Sequence, residues 1–177
     1  QKVKLWDTST GQCRKALQGH TGWIRTVTFS PDGQTFASGC DDRTVKIWHT
    51  SNGQCCQTLE GHASWVKSIT FNPQGNVLAS GSDDRTVRLW NLSTGQCVNV
   101  LEHTHGVWSV AFSPQGKILA TGCDDQKVWL WDGSSGECDK ILQGHAGWIL
   151  SVIFLPIPPT PLFKGGKDSR NGFDAFD

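Results

Sequence analysis

Short runs of alternating apolar and polar residues, punctuated by turn residues, fill the chain from Val3 to Leu142. Trp23-Ile24-Arg25-Thr26-Val27-Thr28-Phe29 is β-branched and aromatic, so it predicts a strand. Ser30-Pro31-Asp32-Gly33 follows. There Pro presets φ and Gly supplies φ > 0, so the segment predicts a hairpin turn. Thr35–Gly39 is a second strand, Asp41-Asp42-Arg43 turns the chain, and Thr44–Trp48 is a third strand. Ser51-Asn52-Gly53 is another tight turn, and Gln54–Leu59 is a fourth strand. No segment carries a convincing 3.6-residue apolar period, so helix content should be near zero.

The unit then repeats. Trp6, Trp48, Trp90 and Trp131 recur about every 42 residues, and His20, His62, His103 and His145 keep the same step. So do Pro31, Pro73, Pro114 and Pro156, and the cysteines Cys13, Cys55, Cys97 and Cys138. Laying Gly19–Leu59 over Gly61–Leu101 matches about half the positions outright. The third copy has lost one residue and reads Glu102-His103 where the others read Gly-His. Four antiparallel strands per copy at this period make one propeller blade.

These residues resemble the WD-repeat (WD40) family, whose pattern is a Gly-His near the start of each unit and a Trp-Asp near its end. Here the pattern stands as Gly19-His20, Gly61-His62 and Gly144-His145, with Trp6-Asp7 and Trp131-Asp132. Trp48-His49 and Trp90-Asn91 keep the Trp and lose the Asp. The near-identical copies look like bacterial multi-repeat members of that family. The resemblance implies an all-β fold, a WD40 β-propeller segment. Three complete four-stranded blades are expected at about 20–60, 62–102 and 103–143, with partial blades at 1–18 and 145–155. The propeller segment spans 1–155, and 156–177 is expected to be an irregular tail, because Pro158-Pro159-Thr160-Pro161 stands where a second strand belongs.

Each copy places His, Ser or Thr, Asp and Trp at fixed offsets. The sets are His20, Ser38, Asp42, Trp48; His62, Ser80, Asp84, Trp90; and His103, Thr121, Asp125, Trp131. A Ser-His-Asp triad uses the same residue types. A nucleophile needs one copy and an oxyanion hole, not three equal copies, so a structural network is the expected use. By resemblance these are the family's structural tetrads. Indole N–H would donate to the hydroxyl, the hydroxyl to imidazole, and imidazole to carboxylate. Loss of one member should cost its blade roughly 1–3 kcal/mol. No catalytic residue is assigned. The seven cysteines are expected to be small buried residues of a reducing compartment, with no metal site and no cofactor.

Sixteen basic residues balance sixteen acidic ones, which argues against a nucleic-acid partner. No apolar run approaches the roughly 18 residues a membrane span needs. If the polar network serves folding, partners must meet the loops. Trp23, Trp65 and Trp148 share one offset near the first strand, and Arg25, Lys67 and Trp108 fall two residues later. Asp41, Asp83 and Asp124, followed by Arg43 and Arg85, join them on what resemblance makes the binding face. Exposed Trp and Arg anchor protein interfaces. The same tryptophans would equally serve to pack over the channel or the neighbouring blade. The function expected is a non-catalytic protein-interaction scaffold, cytoplasmic, binding a protein or peptide. The alternative is the sensing region of a larger signalling protein with a kinase or nucleotide-binding switch domain. An open arc exposes blade faces and strand edges. The chain is therefore expected to be a fragment of a longer array or to associate with copies of itself.

Overall fold

The structure is a computed structural model and describes residues 1–155. The expectations for the 156–177 tail and for Pro156 lie outside the described residues. Fourteen strands and no helix are present among the described residues. β1 (Lys2–Trp6) and β2 (Cys13–Gln18) pair as a two-stranded sheet. Blade 1 is β3 (Ile24–Phe29), β4 (Thr35–Cys40), β5 (Val45–His49) and β6 (Cys55–Leu59). Blade 2 is β7 (Val66–Phe71), β8 (Val77–Ser82), β9 (Thr86–Asn91) and β10 (Cys97–Glu102). Blade 3 is β11 (Val107–Phe112), β12 (Ile118–Cys123), β13 (Val128–Asp132) and β14 (Cys138–Leu142). Within each blade the strands hydrogen-bond in sequence order, all antiparallel.

Turn chemistry fixes the hairpins. Gly33, Gly75 and Gly116 sit at φ near +70°, where a side chain would be strained. Between the third and fourth strands a carboxylate or amide caps the turn. Asp132 Oδ1 accepts from the Ser134 and Ser135 N–H groups at 2.9 and 2.7 Å, and Asn91 Oδ1 accepts from Ser93 N–H at 2.9 Å. Asn91 therefore does what Asp does in the Trp-Asp pair. In blade 1, where His49 replaces it, Asn52 Oδ1 accepts from Gln54 N–H at 2.9 Å instead.

The core lies between blades. Ala37, Val45, Ile47 and Leu59 of blade 1 meet Val66, Ile69, Phe71 and Leu78 of blade 2. Ala79, Val87, Leu89 and Leu101 of blade 2 meet Val107, Val110 and Leu119 of blade 3. Such a seam needs one small residue on each second strand. A Cβ on Gly81 would stand 2.8 Å from Val107 Cγ1 and 3.0 Å from Val110 Cγ1. Burying these aliphatic side chains supplies roughly 1.5–3 kcal/mol each.

The partial blade expected at 145–155 forms no strand: Trp148–Leu155 carries no ladder among the described residues. The segment takes the place of an inner strand. Ile149 and Val152 pack on Ala120, Val128 and Leu130 of blade 3, and Val152 N–H donates to Ser109 Oγ at 3.0 Å. Val110 N–H meets Ser68 Oγ in the same way, at 3.2 Å, one blade earlier. An inner strand is laddered by the second strand of its own blade, and none stands beside this segment among the described residues. Among the described residues β1 and β2 pair only with each other. Val3 of β1 packs on Phe36 and Trp48 of blade 1.

Candidate functional site

The recurring polar residues form a buried line in each blade. In blade 1, Trp48 Nε1 donates to Ser38 Oγ at 2.8 Å, and His20 Nε2 lies 2.7 Å from the same oxygen. His20 Nδ1 lies 2.8 Å from Asp42 Oδ2. A carboxylate can only accept, so Nδ1 carries the proton and Nε2 accepts from the hydroxyl. Blade 2 repeats this with Trp90, Ser80, His62 and Asp84 at 2.8, 2.7 and 2.8 Å. Burial pushes the Asp42 carboxyl up, but hydrogen bonds from Thr21 N–H, Thr44 Oγ1 and His20 outweigh it and hold it well below the carboxylate range. At Asp84, burial is likewise outweighed, first by His62 and then by Thr86 Oγ1 and Ala63 N–H.

This geometry matches the hydrogen bonding of a catalytic triad, and burial decides what it can do. Ser38 and Ser80 are 0 % exposed, and each Oγ already takes an indole proton. No carbonyl carbon can reach a hydroxyl enclosed in this way.

Blade 3 departs from the expected tetrad. Thr121 Oγ1 still takes the Trp131 indole proton at 3.0 Å and lies 2.7 Å from His103 Nε2. His103 Nδ1, however, donates to Leu101 O at 3.3 Å. Asp125 Oδ2 accepts instead from Trp129 Nε1 and Thr104 Oγ1, both at 3.0 Å. Two substitutions explain the loss. Trp129 stands where Lys46 and Arg88 stand, and its indole N–H captures the carboxylate. Lys127 stands where Thr44 and Thr86 hold their aspartates at 2.7 Å. With no carboxylate bonded to it, His103 is governed by burial, which pushes its pKa down to about 4.

The cysteines are corrected in part. Cys40 and Cys123 are buried, but Cys13, Cys55, Cys56 and Cys138 are exposed, because the outermost strand of each blade has no further strand beyond it. His20, Cys40 and Asp42 bring one ligand atom each within 4.8 Å of one another. Their donor atoms are spent on hydrogen bonds: Cys40 Sγ takes the Asp42 N–H at 3.4 Å, as Ser82 Oγ takes the Asp84 N–H at 3.1 Å in blade 2. Cysteine therefore does serine's work there.

The second cluster lies at the loop end of the blades, where the Asp41 and Asp83 N–H groups donate to the Trp23 and Trp65 carbonyls at 2.9 and 3.0 Å. Rings and cations alternate along it. The Arg25 guanidinium lies 5.1 Å from the Trp23 ring centre and 5.5 Å from that of Trp65. The Lys67 ammonium lies 4.7 Å from Trp65 and 4.2 Å from Trp108. Trp108 stacks on Trp148 at 6.0 Å with 13° between planes. Trp23, Trp65 and Trp148 remain 63, 45 and 63 % exposed. Trp65 and Trp108 thus each meet a cation of the preceding blade, and Trp23, Trp65 and Trp148 still face water. Arg25 is held twice by Asp41, at 2.7 and 2.6 Å, and Trp108 Nε1 donates to Asp124. In the third copy Gly106 replaces the Trp of this offset, and a Cβ there would stand 3.0 Å from Asp83 Oδ1. Arg43 and Arg85 project from turns at φ +69° and +68°.

Stacked four-stranded blades joined by inner-strand seams, each crossed by a Trp–Ser/Thr–His line, define a WD-repeat β-propeller. The chain belongs to the family described as the first beta-propeller of IFT122, whose family model matches residues 1–169. Among curated proteins it is similar to nuclear distribution protein PAC1 of Arthroderma benhamiae, 50 % identical over 44 residues, which is 25 % of this chain and 10 % of that protein. It is 51 % identical over 41 residues to PAC1 of Coccidioides posadasii, covering 23 % of this chain and 9 % of that one. PAC1 of Mycosarcoma maydis matches at 44 % over 36 residues, 20 % and 8 % of the two chains. Each match is about one repeat long, and the chain spans about a tenth of the length of these relatives. The relatives are fungal, and they give the expected likeness to bacterial arrays no support.

Proposed function

We propose that this propeller segment is a non-catalytic scaffold that holds a protein or peptide partner through the loop-end ladder of Trp23, Arg25, Trp65, Lys67, Trp108 and Trp148. The observation that supports this reading is the combination of order and exposure. Six side chains from successive blades touch in a row, ring against cation from Trp23 to Trp108 and ring against ring from Trp108 to Trp148, yet three of the indoles stay open to solvent. Preorganised Trp and Arg give up little rotamer freedom on binding, the property that makes them anchors. Asp41 holds Arg25 and Asp124 holds Trp108 in the ladder, Asp83 joins it through its main-chain N–H on the Trp65 carbonyl, and Arg43 and Arg85 flank it. The buried hydroxyls of the polar lines support the absence of catalysis. Free thiols at all seven cysteines support a reducing, cytoplasmic setting. No helix among the described residues is long and apolar enough to cross a membrane. The sensor reading, with a kinase or switch domain elsewhere, has no observation that favours it.

An affinity capture comparing the natural chain with Trp23→Ala, Trp65→Ala and Arg25→Ala tests the proposal. The captured partner should be lost from the variants while their melting temperatures stay within a few degrees of the parent. A partner retained by all three variants would refute the assignment of the surface.

A further inference from the structure

We infer that a cleft between blades 2 and 3, at the far end of the strands from the ladder, is a second binding site and takes an extended, uncharged polypeptide segment. Asn72 and Gln74 of its wall follow β7, whereas Trp65 of the ladder precedes it, so the two sites are separate.

A substitution opens the cleft. Thr50, Leu92 and Gly133 share one offset, at the start of the turn between the third and fourth strands. Each N–H donates to the first hairpin of its own blade: Thr50 to Gln34 O, Leu92 to Asn76 O and Gly133 to Lys117 O, at 3.0, 3.0 and 2.7 Å. Leu92 lays its side chain on the seam between blades 1 and 2. Gly133 has none to lay on the seam between blades 2 and 3, and a Cβ there would stand 2.4 Å from Gly116 O. The main chain itself thus keeps a side chain out of this position. What is left is a cleft of about 510 Å³, the size of a ligand site, with walls from both blades.

The free polar groups of the walls are mostly donors. Asn72 shapes one wall: its Oδ1 accepts the Asn76 and Val77 N–H groups at 3.1 and 3.0 Å. Its Nδ2 donates to Gln74 Oε1 and Asn76 Oδ1 at 3.0 and 2.7 Å. The oxygens of those two amides are thereby engaged, while Gln74 Nε2 and Asn76 Nδ2 donate to nothing among the described residues. Across the cleft, Gln115 and the Lys117 ammonium make no hydrogen bond or ion pair among the described residues. Four side chains therefore ask for oxygen atoms. An extended chain offers a carbonyl about every 3.3 Å, so one segment can meet several of them, and Gln115 Oε1 can take one of its N–H groups.

Charge and shape narrow the ligand further. Lys117 is the one charged side chain of the lining, and the Asp132 carboxylate, which accepts the Ser134 N–H at 2.9 Å on the same wall, balances it. The floor is Val77, Leu89 and Val98, and Val98 is 58 % exposed. An apolar side chain of the ligand would cover that floor, whereas a charged one would be desolvated there without a partner. Among the described residues no aromatic ring lines the cleft, so a sugar or a nucleic-acid base would find no platform to stack on.

The test follows the side-chain amide resonances of Gln74, Asn76 and Gln115 in the full chain by ¹H–¹⁵N NMR. The probes are an end-blocked octapeptide of Ser and Asn with two Val, its counterpart with Asp for both Val, and maltoheptaose. The first should shift those resonances saturably, the second should bind about fivefold more weakly, and the sugar should leave them in place. Gln74→Ala with Gln115→Ala should weaken the first peptide about tenfold, and so should Val98→Arg, which fills the floor. These positions face solvent, so the melting temperatures of the variants should match the parent. Trp23→Ala, at the other end of the strands, should leave the affinity within about twofold. No saturable shift, equal or tighter binding of the Asp peptide or the sugar, affinity undiminished in either cleft variant, or affinity lost with Trp23→Ala overturns the inference. Partner capture by the ladder is read separately and stands or falls on its own variants.

Discussion

Blades 2 and 3 are copies of one unit, packed alike, and they treat the same buried aspartate differently. In blade 2, Asp84 closes the line from Trp90 through Ser80 and His62. In blade 3, Asp125 turns away to Trp129 and Thr104, and His103 falls back on a main-chain carbonyl. Three of the four members keep their places, so the Trp–hydroxyl–His segment holds the inner strands without the carboxylate. The carboxylate's contribution is to the loop: Asp84 also gathers the Ala63 N–H at 2.8 Å and the Thr86 hydroxyl at 2.7 Å. The polar line is thus two devices joined at the imidazole, one inside the sheet and one at its mouth, and blade 3 has uncoupled them.

The sharpest way to break this comparison is to delete the two aspartates separately. Asp84→Ala leaves His62, Thr86 and a loop N–H without their shared acceptor in a nearly closed site. It should cost about 3 kcal/mol, because three donors in a nearly closed site lose one charged acceptor. Asp125→Ala removes only the loop-end bonds of blade 3 and should cost about 1 kcal/mol. Urea denaturation of both variants checks the ratio, and equal losses would mean that the link to imidazole is energetically idle.

Acid should separate the blades by pH window. His103 has a folded pKa of about 4 against an unfolded value near 6.5, so the unfolded chain takes the proton first. Its contribution is complete above pH 6.5 and is lost as pH falls from there through 4, up to about 3 kcal/mol in all. Asp42 and Asp84 are depressed too, but from the carboxylate range, so their contribution is present above about pH 4 and is lost only below it. Stability measured by urea at a series of pH values should therefore show an upper step that His103→Gln removes, and a lower step that it leaves.

Much of this was legible in the residues. The period of Trp, His and Pro gave the blades, and each hairpin follows from its Pro, Asp and Gly. The blade 3 departure was also written there, as Trp129 and Lys127 at positions that hold Lys46 or Arg88 and Thr44 or Thr86. Matching the tetrad letters alone treats the copies as equal, because it ignores the neighbours that hold the aspartate. The missing ladder at Trp148–Leu155 was not legible from the segment itself: its sequence is as strand-like as β3, and pairing depends on a partner strand. The ring-and-cation order of the loop end was half legible. The offsets placed Trp23, Arg25, Trp65 and Lys67 on one rim, but only coordinates show Arg25 and Lys67 each reaching the next blade's ring.

Rebuilding blade 3 in the image of blade 2 sharpens the same point. Trp129→Arg with Lys127→Thr removes the indole that holds Asp125 and supplies the hydroxyl that holds Asp84. The carboxylate should swing to His103, raise its pKa above 4, and stabilise the chain by about 1 kcal/mol. Imidazole titration by NMR reads the first effect and urea denaturation the second. An unchanged His103 pKa would place the cause in the missing residue before His103 rather than in Trp129.

The smallest effect concerns blade 1 against blade 2. Cys40 and Ser82 occupy one slot and accept the same N–H, from Asp42 and Asp84. If the slot asks only for a small acceptor, Cys40→Ser should shift stability by no more than about 0.5 kcal/mol. It should also leave unchanged any response of the melting temperature to added zinc. A thiolate ligand would behave otherwise: it would tie stability to the metal, and that dependence would vanish in the variant. Burial already pushes the Cys40 thiol up, which keeps it protonated and a poor ligand. A zinc-dependent melting temperature in the parent, lost on Cys40→Ser, would show that the histidine and aspartate of blade 1 serve a metal after all, and that blade 2 has lost a site rather than blade 1 having kept a hydrogen bond.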